Sequence, residues 1–330
     1  MNSFGRIFKI QLFGESHGMG AGIIIDGCPA GVPLSESDFE VDLARRRPGA
    51  IGTTPRKEAD LPELMSGVFN GKTTGAPLTI FFRNMNTRSG DYENLVASPR
   101  PGHADFTGKV KFGGNNDYRG GGHFSARLTV GLVAAGVLAK KLLRAQTINA
   151  TLVEAGGSKN IDEAIKNALA NQDSIGGIVE CRVQGLPAGL GEPFWDSVES
   201  LISHAVFAIP ATKGIEFGSG FRAALMPGSE HNDAIIDADG TTKTNHAGGI
   251  NGGITNGNEL IFRVAIKPTS SIGKSQQTMN FETNQVEELK IQGRHDACVA
   301  LRVPPILEAM TALVLADLML LEQKIPRIYK

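Results

Sequence analysis

The chain has 330 residues, and a usual domain size of about 150 residues gives a weak expectation of two domains, with one large domain still open. Its 41% hydrophobic content and mean hydropathy of -0.08 exclude disordered and collagen-like chains. With 33 Lys and Arg against 34 Asp and Glu the net charge is -1, so no overall positive field draws nucleic acid or anionic lipid, and any anion must be met locally.

In chain order, residues 7–13 and 21–25 are short Ile- and Phe-rich runs broken by glycine, the pattern of two adjacent strands, with the loop Gly14-Glu15-Ser16-His17-Gly18 between them. Ser35 followed by Asp38 is a capping-box-like start for a helix through Phe39 and Leu43, ending in Arg45-Arg46-Arg47 before Pro48-Gly49. Residues 126–144 are apolar nearly all round, which predicts a central helix covered on both faces. A short helix is expected at 161–169, a strand at 178–183, an amphipathic helix at 194–207 and a strand at 260–266. Residues 306–322, launched by Pro304-Pro305, read as a second buried helix. The expected class is therefore α+β, with sheets flanking buried helices.

No fixed-period repeat, low-complexity tract or linker interrupts the chain. Glycine is enriched, at 41 residues, so the backbone turns tightly or approaches something closely many times. Cys28, Cys181 and Cys298 are odd in number and lack C-x-x-C spacing, which argues against a disulfide framework or zinc knuckle and for a reducing compartment. No stretch approaches 18 uninterrupted apolar residues. A cytoplasmic protein with no membrane or nucleic-acid partner and no protein metal site is the expectation.

Chemistry-bearing residues cluster in segments spread over the whole chain. Arg119-Gly120-Gly121-Gly122-His123-Phe124-Ser125 runs into the central helix, whose free N–H groups favour an anion. It matches neither the Walker nor the dinucleotide pattern, and a tight strand-to-helix turn is the plain alternative. Lys267-Pro268-Thr269-Ser270-Ser271 puts one cation and three hydroxyls in five residues, either a phosphate cradle or a surface turn. The glycines of 245–253 would let a flat ring lie against backbone. His17 and His103, in loops with little apolar sequence around them, are acid/base candidates, whereas His204 and His231 read as structural or surface residues. Arg294-His295-Asp296 packs three ionisable groups before the last helix, with an ion pair or cap as the plain reading. For these segments to serve one site, residues 1–330 must fold as a single interleaved domain.

Together, Phe13 to Gly18, Arg45 to Gly49, Arg100 to Asp105, Tyr118 to Gly122, Asn245 to Ile250, Lys267 to Ser271 and Gly293 to Asp296 closely resemble the chorismate synthase family, over essentially the whole length. The resemblance implies a β-α-β sandwich with two buried central helices between antiparallel sheets, and a homotetramer. It implies conversion of 5-enolpyruvylshikimate 3-phosphate to chorismate and phosphate, with reduced FMN required although no net redox change occurs. By the same resemblance His17 protonates the leaving phosphate, His103 protonates reduced flavin, and Asp296 assists proton transfer at the flavin. His123, Phe124, Ser125, Ala211, Gly252, Lys267, Pro268, Thr269, Ser270, Ser271 and Arg294 fall where the family contacts FMN. Arg46 falls on a position linked to NADPH or anionic substrate, with Arg45, Arg119 and Arg127 as further substrate clamps.

The chain departs from many members at His123-Phe124, where they carry Arg-Ser, and at Gly52, near which they carry an arginine. A non-catalytic flavin carrier would have no need of His17, His103 and Asp296 together, and a nucleic-acid module would be basic and aromatic-rich, with more than the 20 Phe, Tyr and Trp found here. The lack of a long insertion points to an external reductant for the flavin.

Overall fold

Alternation of buried and open positions builds two antiparallel sheets. In the computed structural model, which describes residues 2–54, 58–86, 89–291 and 295–329, the first sheet has the order Ser3–Phe4, Lys9–Gly14, Gly20–Asp26, Leu78–Arg83, Glu63–Ser66. Its middle strand sets Ile23 opposite Leu12 and Ile80, and Ile23 and Ile25 are fully buried. The second sheet has the order Thr212–Phe217, Leu260–Ile266, Gly177–Gln184, Thr147–Ala155. Here the period of two turns Leu260, Phe262, Val264 and Ile266 inward, in register with Val183, Cys181 and Val179 on the neighbouring strand.

Two long helices lie against these sheets. Thr129–Leu142 is buried at every position but Lys140 and Lys141, and packs on the Gly20–Asp26 strand. Pro304–Leu321 packs against that helix, against Thr147–Ala155 and against the Val198–Val206 helix. The two long helices touch at Gly136, where a Cβ would fall 2.3 Å from Ala309 Cβ, so only glycine permits this approach. One hydrophobic core runs through both sheets and both helices. With a mean hydropathy of 1.7 over 18 residues, Pro304–Leu321 is long and apolar enough to cross a membrane, but 89% of it is buried inside the fold, as a core helix would be.

Near the end of that helix Asp317 accepts hydrogen bonds from the backbone N–H groups of Arg6 at 2.9 Å, Ile7 at 2.7 Å and Phe8 at 2.8 Å. The two ends of the described chain are thus tied together, and Tyr329 N–H donates to the Ala30 carbonyl nearby.

The predicted helices and strands are all present, with shifted bounds. The expected 194–207 helix is a turn at Phe194–Asp196 followed by Val198–Val206, because Ser197 caps the second piece by accepting Ser200 N–H. Within the two main sheets, five strands go unanticipated in the sequence: Ser3–Phe4, Glu63–Ser66, Leu78–Arg83, Thr147–Ala155 and Thr212–Phe217. So do the Gln276–Asn280/Gln285–Leu289 hairpin and the Asp105–Lys111 helix. All three cysteines are free and buried, and burial pushes the Cys28 and Cys181 thiols up to about 12.

Candidate active site

A cleft of about 880 Å³ opens where the start of the Thr129–Leu142 helix meets the loops 100–104, 267–271 and 295–302. Cleft volumes of this order bury most of a small ligand's surface. Arg46, His103, His123, Phe124, Ser125, Arg127, Ala211, Lys267, Pro268, Thr269, Ser270, Ser271 and Asp296 all line it. Segments far apart in sequence therefore converge.

One wall is held by Arg100, which is 7% exposed. Its guanidinium grips both oxygens of Asp105 at 2.7 Å and donates to Ser271 Oγ at 3.1 Å. Lys267 Nζ donates to the Gly102 carbonyl at 2.8 Å and to Ser270 Oγ at 2.9 Å, which fastens the 267–271 loop to the 100–105 loop. Burial, aided by Lys213, lowers the Lys267 pKa.

At the floor, Asp60 is clamped between two arginines, with Oδ2 2.9 Å from Arg46 Nη1 and Oδ1 against Arg127 Nη1. Burial lowers the Arg46 pKa to about 9 against the opposing pull of Asp60. Arg46 also donates to Thr129 Oγ1 and to the carbonyls of Ala126 and Arg127, so four of its five N–H donors are engaged. Arg127 engages three of its five, on Asp60, Asn84 Oδ1 and the Arg83 carbonyl. Asp296 accepts Thr54 N–H at 2.9 Å and faces Arg302 Nη1 at 3.4 Å, while Arg302 Nε donates to the Arg46 carbonyl.

His123 Nδ1–H donates to the Gly14 carbonyl at 2.8 Å, which fixes the ring. His17 is 9% exposed and packed edge-on to Tyr92, with ring centroids 5.2 Å apart. This corrects the expectation of a loop histidine with little packing. It lies beneath Gly120, a lining residue with φ of 59°, where a Cβ would sit 2.2 Å from His17 Nδ1.

Other expected site residues lie elsewhere. Arg45 turns away and forms a two-bond pair with Glu308 at 2.7 Å, in a network with Asp42 and Lys140. Arg119 pairs with Asp117 through two part-buried bonds of 2.9 Å, outside the cleft lining. Gly252 sits in the turn between Ile250–Asn251 and Ile254–Thr255, outside the cleft lining. The 245–249 stretch is held by Asp233, which accepts His246 and Ala247 N–H, so it is fastened to its own surroundings. Arg294 lies outside the described residues. Among the described residues, no group of three His, Cys, Asp or Glu is placed to hold a metal ion.

The family model for chorismate synthase matches residues 8–320. A chorismate synthase of Chitinophaga pinensis is 63% identical over 331 residues, covering all of both chains, and one of Opitutus terrae is 46% identical with 96% of each covered. A crystal structure of chorismate synthase superposes with a TM-score of 0.74 at 27% identity, covering 97% of this chain and 93% of that one. The chain belongs to the chorismate synthase family. It is a lyase that removes phosphate to form chorismate.

For a chorismate synthase the residues that sequence reasoning passed over become informative. Asp105 and Arg100 lay within a motif already singled out, and an acid two positions after a loop histidine was the available signal. Asp60 and Arg302 carried no such mark, since each is one charge between structural elements. Both act by holding Arg46.

Proposed function

We propose that the cleft binds reduced FMN together with 5-enolpyruvylshikimate 3-phosphate, and that His17, His103 and Asp296 handle protons in an anti-1,4-elimination. The observation that carries this reading is the convergence, around one cleft of about 880 Å³, of two arginines, a lysine, three hydroxyls and His103 from distant segments. Its size and donor set suit the flavin: Lys267, Ser270 and Ser271 offer a phosphate cradle, and Thr269 Oγ1 is buried there with no hydrogen-bond partner. His123, Phe124, Ser125, Ala211 and Pro268 would complete the contact. Reduced FMN, when bound, supplies the electron density that lets phosphate leave along an otherwise unfavourable anti path.

The protein's own residues supply charge and protons. Arg127, with two N–H groups left, is the main clamp for the substrate's anionic groups, and Arg46 contributes its one remaining donor. Asp105 occupies Nδ1 of His103 and leaves Nε2 for proton transfer. His17, directly behind Gly120, is the donor to the departing phosphate, and the Asp296 carboxylate assists removal of the substrate proton. Because Arg46 is 2% exposed and nearly saturated, it makes a poor landing site for NADPH, which favours an external reductant.

The core shared by both sheets supports a single domain spanning 1–330, and sheet, paired helices and sheet read as the β-α-β sandwich of the resemblance. Phe194, Trp195, Phe221 and Leu225 are each at least 85% exposed, apolar surface that a homotetramer would cover. A reducing cytoplasm suits three free thiols. Phosphate release from the substrate with dithionite-reduced FMN tests the activity. Saturating FMN should raise the melting midpoint by linkage, and an unchanged midpoint without a flavin spectral shift would sink the cofactor assignment.

A further inference from the structure

His295 is a polar group of the cleft to which the proposed chemistry gives no task. It lines the cleft beside Asp296. Burial, and then the positive charge of Arg100, lower its pKa while Asp296 pulls the other way, so the ring is neutral at neutral pH. Its Nε2 is buried and has no hydrogen-bond partner. Folded proteins seldom keep such an atom, because desolvation is uncompensated, and each one calls for an explanation.

Thr269 Oγ1, on the same cleft, is in the same condition. The two segments are stapled by one short stretch: Ser174 Oγ donates to the Thr269 carbonyl at 2.7 Å, and the next residue's N–H, from Ile175, donates to the Ala297 carbonyl at 2.8 Å. Two unpaired polar atoms brought to one cleft by a shared brace share an explanation, a ligand that bonds to both.

We infer that His295 is a further ligand-contacting residue, whose Nε2 bonds, together with Thr269 Oγ1, to polar atoms of the bound flavin. This rests on the flavin reading above. A neutral imidazole adds no charge for a substrate carrying a phosphate and two carboxylates. A flat heteroaromatic ring system, with carbonyl oxygens and an N–H along its edge, accepts from or donates to either imidazole tautomer.

The test is FMN affinity without substrate, by flavin fluorescence, on the unaltered protein, His295→Leu and His295→Gln, with melts of each ligand-free protein. His295→Leu should weaken FMN binding about tenfold while the ligand-free midpoint stays level or rises, since an unpaired polar atom has been removed. His295→Gln, which offers an amide donor and acceptor, should recover most of the affinity. Unchanged FMN affinity in His295→Leu overturns the inference, including where the substrate KM alone rises, because the contact is then to substrate. A ligand-free midpoint that falls, with no recovery in His295→Gln, assigns His295 to the structure. If the unaltered protein binds no FMN, the flavin reading itself fails and this inference with it.

Discussion

Asp105 holds His103 by one ring nitrogen, its Oδ1 lying 2.5 Å from Nδ1, a separation that calls for a proton between them. Arg100 grips both oxygens of the same carboxylate, with its Nη2 3.0 Å from His103 Nδ1. Although burial alone would raise the Asp105 pKa, hydrogen bonds from Arg100 and His103 hold the carboxyl well below the usual carboxylate range. The carboxylate stays charged and accepts from Nδ1, which leaves Nε2 as the open ring nitrogen.

Asp105→Asn removes that anchor without changing the shape. The amide can present N–H to Nδ1 and so favour the opposite tautomer. Turnover should fall by about ten- to a hundredfold, within the range general acid-base groups contribute, while FMN affinity changes little. Steady-state phosphate release beside a flavin titration measures both.

Asp60→Asn should act on stability and on substrate affinity together. Breaking a buried ion pair by removing one partner costs about 3–5 kcal/mol, and here two guanidinium groups lose the charge that balances them. A clear drop in the urea midpoint is expected, with a raised substrate KM as Arg127 loses its fixed position. A midpoint and KM equal to those of the unaltered protein would show that Asp60 positions neither arginine.

For Asp296→Asn the remaining carbonyl oxygen can still accept Thr54 N–H, so the fold should persist. The lost proton acceptor should slow turnover at least about tenfold, equivalent to roughly 1.4 kcal/mol of barrier. Normal turnover alongside a strongly lowered melting midpoint would place Asp296 in the structure and not in the chemistry.

Glu308 predicts a pH dependence of stability. Burial would raise its pKa, but Arg45 and Lys140 outweigh this and lower it. A carboxylate depressed in the folded state stabilises fully above its unfolded pKa, about 4.3 for Glu, and that contribution is lost as pH falls through the folded value. Urea midpoints should therefore decline below about pH 4, and Glu308→Gln should be less stable near neutral pH with a flatter acid limb.

Much of the fold was legible where burial leaves a strong pattern. The Thr129–Leu142 and Pro304–Leu321 helices are apolar on every face, and the Leu260–Ile266 strand alternates cleanly. Thr147–Ala155 was not, because only Ala150 and Ala155 are buried and its alternation of Thr147, Asn149 and Thr151 with Ile148, Ala150 and Leu152 breaks at the register shift between Leu152 and Glu154. At the candidate site the sequence could not choose between Arg45 and Arg46. Consecutive helical residues point about 100° apart, so one faces Asp60 and the other Glu308, and only the placement of the helix decides which. His17 misled for a related reason: glycines flank a loop, but they also let other backbone close over it, as Gly120 does.

The bonds from Asp317 to Arg6, Ile7 and Phe8 bear on how the protein is made. Phe8 and Asp317 are 309 positions apart, and at about 5–20 residues per second the ribosome needs roughly 15–60 s to produce one after the other. For that interval the turn joining the first two strands lacks the acceptor for its N–H groups, and the strands lack the helix that covers their apolar face. Folding is therefore largely post-translational. A chain interrupted before residue 317 is left with open strands, a substrate for chaperones or for aggregation.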